Sequence, residues 1–515
     1  MHDLIILHGQ VHDGFGSPPV IADVAVADGR IVAVGSDLGP GRRTIDATGL
    51  VVAPGFVDAH SHSDGVPFLP DAQPFKLFQG VTTEIIGNCG FSLGPSNPKD
   101  ADESSEPDEQ RFLSFGDYLN AAAAAGPTNH LAGLVGHNSV RETVVGVERE
   151  LPESALDRMC ELLEEAFEAG AVGFSSGLEY VPGAYSESAE LIAMARVARR
   201  YGGTYATHSR SESEGLAEAM DEAIDVARSA GIRLQYSHCK ASGRAMHGSS
   251  QLILDKLAAG RRSGVDVRGD QYPYRAFATG LVAMLPPEAL EGGVEAMRAR
   301  LADPAIRASL QAIAENPDNG TGVGLWREVH PEDVQILTHG NTEIAGRRLS
   351  EVLAGRKPWD ALCDVLMEDP DAGTVCHSMN EDDVLAIMAD PLVAIGSDNG
   401  SPIGPSHPRA FGTFPKFLGA YVRDRGVVTL AEAIRKVSSA TAGQFGLTDR
   451  GWLGRGAAAD VVVFDPERIG HEGTYEEPDV RPTGMVHVLL NGEPVIVDGE
   501  FTGARRGQIL RSGRR

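Results

Sequence analysis

The sequence predicts an α/β protein: a TIM (β/α)8 barrel, with a small β-sandwich domain formed from both termini and a subdomain inserted late in the barrel. Three observations predict it. A strand-then-helix rhythm runs through the middle of the 515 residues. Both ends alternate short apolar runs with turns. Reactive side chains recur at the ends of the middle strands, where barrel enzymes keep their chemistry.

The N-terminal runs are Asp3-Leu-Ile-Ile-Leu7, Val20-Ile-Ala-Asp-Val-Ala-Val26 and Arg30-Ile-Val-Ala-Val34. Asp13-Gly14 and Asp28-Gly29 fall between them as hairpin signals. The C-terminal end has the same texture. Asp460-Val-Val-Val-Phe464, Met485-Val-His-Val-Leu-Leu490 and Val495-Ile-Val497 read as strands, with Asn491-Gly492 as a hairpin turn. The expected division is 1–54 and 451–515 for the β-sandwich and 55–450 for the barrel.

In the middle, strands are expected at 51–60, 81–88, 130–136, 171–176, 203–208, 233–238, 265–271 and 393–397. Helices fall between them at 153–169, 187–201 and 214–230. A further apolar run at 374–377 makes the count one too many for eight βα units. Residues 285–345 break the rhythm and read as an inserted subdomain or lid. The acidic stretch 97–110 reads as a solvated loop.

The first barrel run ends Asp58-Ala-His60-Ser-His62. Alternate residues of a strand share a face, so His60 and His62 point the same way. Two imidazoles on one face suit a divalent transition metal. Later strands also end in reactive residues: Gly87-Asn-Cys89-Gly90, Thr207-His208-Ser-Arg210, Ser237-His238-Cys-Lys240 and Gly396-Ser-Asp398. Four histidines, a cysteine and an aspartate therefore converge on one mouth. A thiolate with imidazoles favours zinc over magnesium.

The bulk numbers narrow the partners. A formal net charge of -27 argues against nucleic acid and anionic membrane. Five cysteines in this length make no disulfide framework. The stretch Met1–His8 does not read as a signal peptide, and no run approaches the roughly 18 apolar residues of a membrane helix. A cytoplasmic, reducing location is expected, where thiols can serve as metal ligands.

The chain resembles the amidohydrolase superfamily and, within it, the N-acyl-D-amino-acid deacylase family. The motifs are Gly55-Phe-Val-Asp-Ala-His-Ser-His62, Gly80-Val-Thr-Thr-Glu-Ile-Ile-Gly-Asn-Cys-Gly90, Gly177-Leu-Glu-Tyr-Val-Pro-Gly183 and Ser237-His-Cys-Lys240. Asp270-Gln-Tyr-Pro-Tyr274, Gly396-Ser-Asp-Asn399 and His407-Pro-Arg-Ala-Phe-Gly412 complete the branch-specific set. Many binuclear amidohydrolases bridge their metals with a strand-four lysine. No lysine lies between Lys99 and Lys240 here, so a thiolate or carboxylate must replace it, or the site is mononuclear. Cys89 is the obvious thiolate and Glu179 the carboxylate fallback.

The resemblance implies a tight zinc site at Cys89, His208 and His238 and a second, weaker one at His60 and His62. Asp398 is then the general base, and the substrate is an N-acyl-D-amino acid. Its α-carboxylate is expected at Tyr180, Lys240 and one tyrosine of the Tyr-Pro-Tyr motif, Tyr272 or Tyr274. Arg409, one loop beyond Asp398, is a further candidate cation. His137 is expected near the pocket, whereas His339 and His377 read as structural. A cyclic-amide hydrolase fits the absent lysine and the Asn-Cys-Gly motif less well. A D-aminoacyl dipeptidase lies nearer, and a non-catalytic scaffold would have no need of the filled ligand positions.

Overall fold

The computed structural model describes residues 1–71, 73–97, 110–316, 324–400 and 404–513. The acidic stretch read as a solvated loop falls outside them at 98–109.

The chain opens with β1 (His2–Val11), β2 (Val20–Ala27), β3 (Arg30–Gly35), β4 (Gly41–Asp46) and β5 (Val51–Pro54). Asp28-Gly29 closes the β2–β3 hairpin with both residues at positive φ, 51° and 71°. That geometry matches the right-handed strand twist. The hairpin anticipated at Asp13-Gly14 is not tight: β1 and β2 pair at Val11 and Val20, leaving 12–19 as a longer connection.

The run 51–60 is not one strand. After β5 joins the terminal sheet, β6 (Phe56–Asp58) opens the barrel. Gly55 separates them, and a Cβ there would lie 2.2 Å from Thr82 Oγ1. The chain changes sheets where no side chain fits.

The barrel continues through β7 (Val81–Ile86), β8 (His130–Gly136), β9 (Gly173–Gly177), β10 (Thr204–His208), β11 (Arg233–Tyr236) and β12 (Val267–Gln271). The chain then leaves it. Strands β13 (Phe277–Gly280), β14 (Val334–Thr338) and β15 (Gly373–Cys376) form an antiparallel sheet ordered β13-β15-β14. β16 (Val393–Ile395) returns and pairs with β12. The surplus strand expected at 374–377 is β15, outside the barrel, so the barrel keeps eight strands among the described residues. The excursion that holds the 285–345 stretch starts before it, at β13, and runs past it, through β15.

All barrel pairs are parallel. The ring closes at its tips. Ser61 and Asn399 form a parallel bridge, and Asp398 N donates to His60 O over 2.8 Å. Beneath this seam a buried network braces both strands. Lys76 Nζ donates to Asp58 Oδ2 at 2.7 Å and to Ser397 Oγ at 2.6 Å, and Asp58 Oδ1 accepts from Ser397 N at 2.8 Å.

Helices Glu153–Ala169, Ser188–Arg200 and Leu216–Ala230 cover the outside. In the first, Ala155, Met159, Leu162, Leu163 and Ala166 are buried at helical spacing. Burying each large apolar side chain contributes about 2 kcal/mol. Gly170, at φ 113°, ends that helix.

The chain closes with β17 (Val461–Phe464), β18 (Met485–Leu490), β19 (Glu493–Val497) and β20 (Glu500–Phe501). They join the N-terminal strands in the order β20-β19-β18-β17-β5-β1-β2-β3, with β4 also on β1. The termini therefore pair through one hydrogen-bonded sheet that branches at β1. Asn491-Gly492 makes the β18–β19 hairpin, at φ 48° and 78°. β21 (Ile509–Leu510) leaves this sheet and pairs with β8 of the barrel.

Candidate metal centre

Four barrel tips deliver one cluster. Cys89 Sγ lies 3.2 Å from His60 Nε2, 3.7 Å from His208 Nδ1 and 3.5 Å from His238 Nε2. Sulfur and nitrogen donors at zinc distances of about 2.3 and 2.05 Å stand about 3.6 Å apart in a tetrahedron. The observed spacings are those of an ion's coordination edges. On the other side, Asp398 Oδ1 lies 3.1 Å from His62 Nε2 and 3.3 Å from His60 Nε2. Two donor groups result, Cys89-His208-His238 and His60-His62-Cys89-Asp398. Cys89 belongs to both.

The loop carrying Cys89 is pressed against neighbouring strand tips. Gly177, at the end of β9, would place a Cβ 2.0 Å from Cys89 O. A side chain at Gly177 would therefore displace the loop that carries Cys89. Cys89, His238 and Asp398 all sit at positive φ, 52°, 34° and 51°. Left-handed conformations at non-glycine residues cost energy and cluster at functional sites.

The far nitrogens of His208 and His238 are held by carboxylates, and that of His60 faces one. His208 Nε2 lies 2.8 Å from Glu179 Oε2. His238 Nδ1 lies 2.7 Å from Glu212 Oε1, which also accepts from Lys240 Nζ at 2.5 Å. His60 Nδ1 faces Asp270 Oδ1 at 3.4 Å. Such outer contacts fix the tautomer and raise ligand basicity. Glu179 thus stands behind His208 rather than beside Cys89, and forms a separate group with His208 and Glu212.

The charges suit a cation. Burial pushes the Cys89 thiol up, but His60, His208 and His238 outweigh it and hold the thiol well below its usual range. Burial likewise works against ionised Asp398, and Arg409, His60 and His238 overcome it. For His208 burial favours the neutral ring, yet Glu212, Cys89 and Glu179 raise it to about 10. A metal ion binding such a donor set takes the place of any protons on its ligand atoms.

A cavity of about 330 Å³ opens onto the cluster. Of the residues expected to bind substrate, Tyr180, Lys240 and Arg409 line it and Tyr272 and Tyr274 do not. The Tyr180 hydroxyl stands 3.1 Å from Thr279 Oγ1, and its ring packs on His208 at 4.6 Å. Arg409 Nη1 donates to Asp398 Oδ2 over 2.8 Å and Nη2 to Ala278 O over 3.1 Å. The two tyrosines separate clearly. Tyr272 packs under both cations, 4.9 Å from Arg409 and 5.8 Å from Lys240, and its buried hydroxyl has no partner among the described residues. Tyr274 donates to Pro408 O at 3.1 Å and faces away.

His137 does not reach the cavity: it is buried against Glu190, 2.6 Å away. His339 accepts from Asn341 N, and His377 packs edge-on against Tyr475. Glu212 and Asp270 were not singled out by sequence reasoning. Asp270 carried a usable signal, because it nears the end of β12 as the other site residues end theirs. Glu212 lies in a loop four residues past His208, with no periodicity to mark it.

The sequence matches the amidohydrolase family model over residues 43–496. It is 35% identical over 515 residues to a D-aminoacylase of Alcaligenes xylosoxydans xylosoxydans, across 99% of this chain and 97% of that protein. The crystal structure of N-acyl-D-glutamate deacylase from Bordetella bronchiseptica, complexed with zinc and a phosphonate mimic of the tetrahedral intermediate, superposes with a TM-score of 0.83. It covers 99% of both chains at 32% identity. A structure of D-aminoacylase, described by one-metal activation and second-metal attenuation of its binuclear centre, gives a TM-score of 0.84. It is 34% identical over 99% of this chain and 100% of that one.

Proposed function

The chain belongs to the amidohydrolase family, and from that premise we propose that it is a zinc-dependent deacylase. It hydrolyses the amide bond of N-acyl-D-amino acids to a carboxylate and a free D-amino acid. The observation that carries the reading is the thiol of Cys89 set at coordination-edge distances from three imidazoles, beside Asp398.

In this reading Cys89, His208 and His238 hold the tight zinc, and His60 and His62 provide a second, weaker position. Zinc bound there lowers the pKa of water to about 7 and polarises the amide carbonyl. Asp398, kept ionised by Arg409, accepts a proton from the attacking water. As the C–N bond breaks, it passes that proton to the departing amine nitrogen. Arg409, Lys240 and the hydroxyls of Tyr272 and Tyr180 hold the substrate's α-carboxylate. Glu179 and Glu212 keep His208 and His238 in the tautomers that present Nδ1 and Nε2, respectively, towards Cys89.

The division into a terminal β domain (1–54 with 451–515), a barrel (55–450) and a lid at 285–345 is the working frame for this reading. The location is inferred as cytoplasmic, since all five cysteines are free and one acts as a ligand. No helix among the described residues is long and apolar enough to cross a membrane.

The test is amine release from matched N-acetyl-D- and N-acetyl-L-amino acids on zinc-quantified protein, before and after chelation and zinc restoration. Hydrolysis of D but not L substrates, lost with zinc and regained with it, is the expected result. Bound zinc with turnover of neither enantiomer refutes the substrate class. Absence of tightly held zinc refutes the metal assignment.

A further inference from the structure

The deacylase reading leaves the amino-acid side chain open, and the two named activities among the relatives above differ on that point. The cavity wall decides it by charge. Among the described residues that wall holds two permanent cations, Lys240 and Arg409. Each is already matched by a carboxylate, Lys240 by Glu212 at 2.5 Å and Arg409 by Asp398 at 2.8 Å. A third wall carboxylate, Glu179, is tied to His208.

The donors left over suit one anion. Arg409 Nε and the Tyr272 hydroxyl are both buried with no partner among the described residues. Arg409 lines the cavity and Tyr272 packs against it, so the substrate's own α-carboxylate accounts for the Arg409 donor. The rest of the wall is neutral: Phe91, Phe277, Ala278, Thr279, Gly280 and Leu325. The Thr279 hydroxyl is already engaged with Tyr180. A second carboxylate on the substrate would lose its water without gaining a cation, and would face Glu179 and Glu212. Burying an unpaired charge in this way is strongly unfavourable.

We infer that the enzyme selects N-acyl-D-amino acids with uncharged, apolar side chains and discriminates against D-glutamate and D-aspartate derivatives. This rests on the deacylase reading and assigns the neutral wall, with Leu325 at its inserted side, as the specificity surface. A volume of about 330 Å³ is at the small end for ligand sites, which favours a small substrate with a short acyl group.

The experiment compares kcat/KM of zinc-replete protein for the N-acetyl derivatives of D-leucine, D-phenylalanine, D-glutamate and D-aspartate. The expected result is a preference of about 100-fold or more for the apolar pair. Equal or greater efficiency with the acidic pair overturns the inference while leaving the deacylase reading intact. Turnover of none of the four overturns both. In Leu325→Arg, shown folded by circular dichroism and still binding zinc, the preference should shrink at least about tenfold as D-glutamate gains a cation. An unchanged ratio in that folded variant overturns the assignment of the wall. If Leu325→Arg does not fold, the wild-type comparison still decides the charge preference.

Discussion

Arg409 and Asp398 form a buried ion pair, Nη1 to Oδ2 at 2.8 Å, at the rim of the cavity. The guanidinium works against the cost of burying the carboxylate and keeps it ionised. A proton acceptor must be ionised to act, so in the proposed mechanism the pair sets the state of Asp398 before substrate arrives. On that proposal, removing Asp398 should abolish turnover without emptying the tight site, whose proposed ligands are Cys89, His208 and His238. Asp398→Ala is expected to lose 10²–10⁴-fold or more in kcat while retaining one equivalent of zinc. Steady-state kinetics with metal analysis of the same sample checks this. Near-normal turnover with zinc bound removes Asp398 from the mechanism.

Cys89 is the atom both donor groups share. Cys89→Ala should leave three imidazoles without their common anionic partner. Zinc retained after gel filtration is expected to fall well below stoichiometry, with hydrolysis falling alongside. Retention of both zinc and activity would show that the thiolate is not a ligand.

Glu212 touches no donor atom near Cys89, yet it holds both His238 Nδ1 and Lys240 Nζ. Glu212→Gln should loosen zinc or cut activity by about 10–100-fold, the usual cost of losing such a support. Zinc competition with a chromophoric chelator measures the first effect directly. Unchanged affinity and rate would make Glu212 a bystander.

Away from the site, Asp460 joins the terminal sheet to the barrel. Its Oδ1 lies 3.2 Å from His130 Nε2 and accepts from Asn491 N at 2.8 Å, while Oδ2 pairs with Arg450. Burial favours the neutral acid, but His130 and Arg450 overcome it and hold the group at about 2. A carboxylate whose folded pKa lies below its unfolded value stabilises the protein above the unfolded pKa, about 4, and loses that contribution as pH falls towards 2. The difference is worth on the order of 2–3 kcal/mol. Wild-type stability should therefore drop faster than that of Asp460→Asn between pH 4 and 2 in chemical denaturation. Parallel slopes would refute the linkage.

The barrel was legible in the sequence because parallel strands covered on both faces read as near-continuous apolar runs. Five of the eight runs also ended in a residue with chemistry. The same signal misled at 374–377. A short apolar strand looks alike in a barrel and in a small antiparallel sheet, and only the pairing of β15 with β13 and β14 separates them. Residues 51–60 read as one strand because apolarity does not reveal which sheet a residue joins. The change of sheets depends on Thr82 crowding Gly55, a contact distant in sequence. The ligand cluster was legible because it sits on strand ends. Glu212 was not, because a loop carboxylate carries no pattern, and the separation of Tyr272 from Tyr274 required their partners to be seen.

The seam between His60-Ser61-His62 and Asp398-Asn399 joins positions 338 residues apart, as Ser61 Oγ donating to Asn399 O illustrates. Closing so distant a contact is slow and comes late in folding. In the proposed mechanism the proton acceptor is in place only once residue 398 has been made and β16 has docked against β12. With Asp398 as the proposed proton acceptor, catalytic competence requires the last barrel strand, whose tip forms this seam.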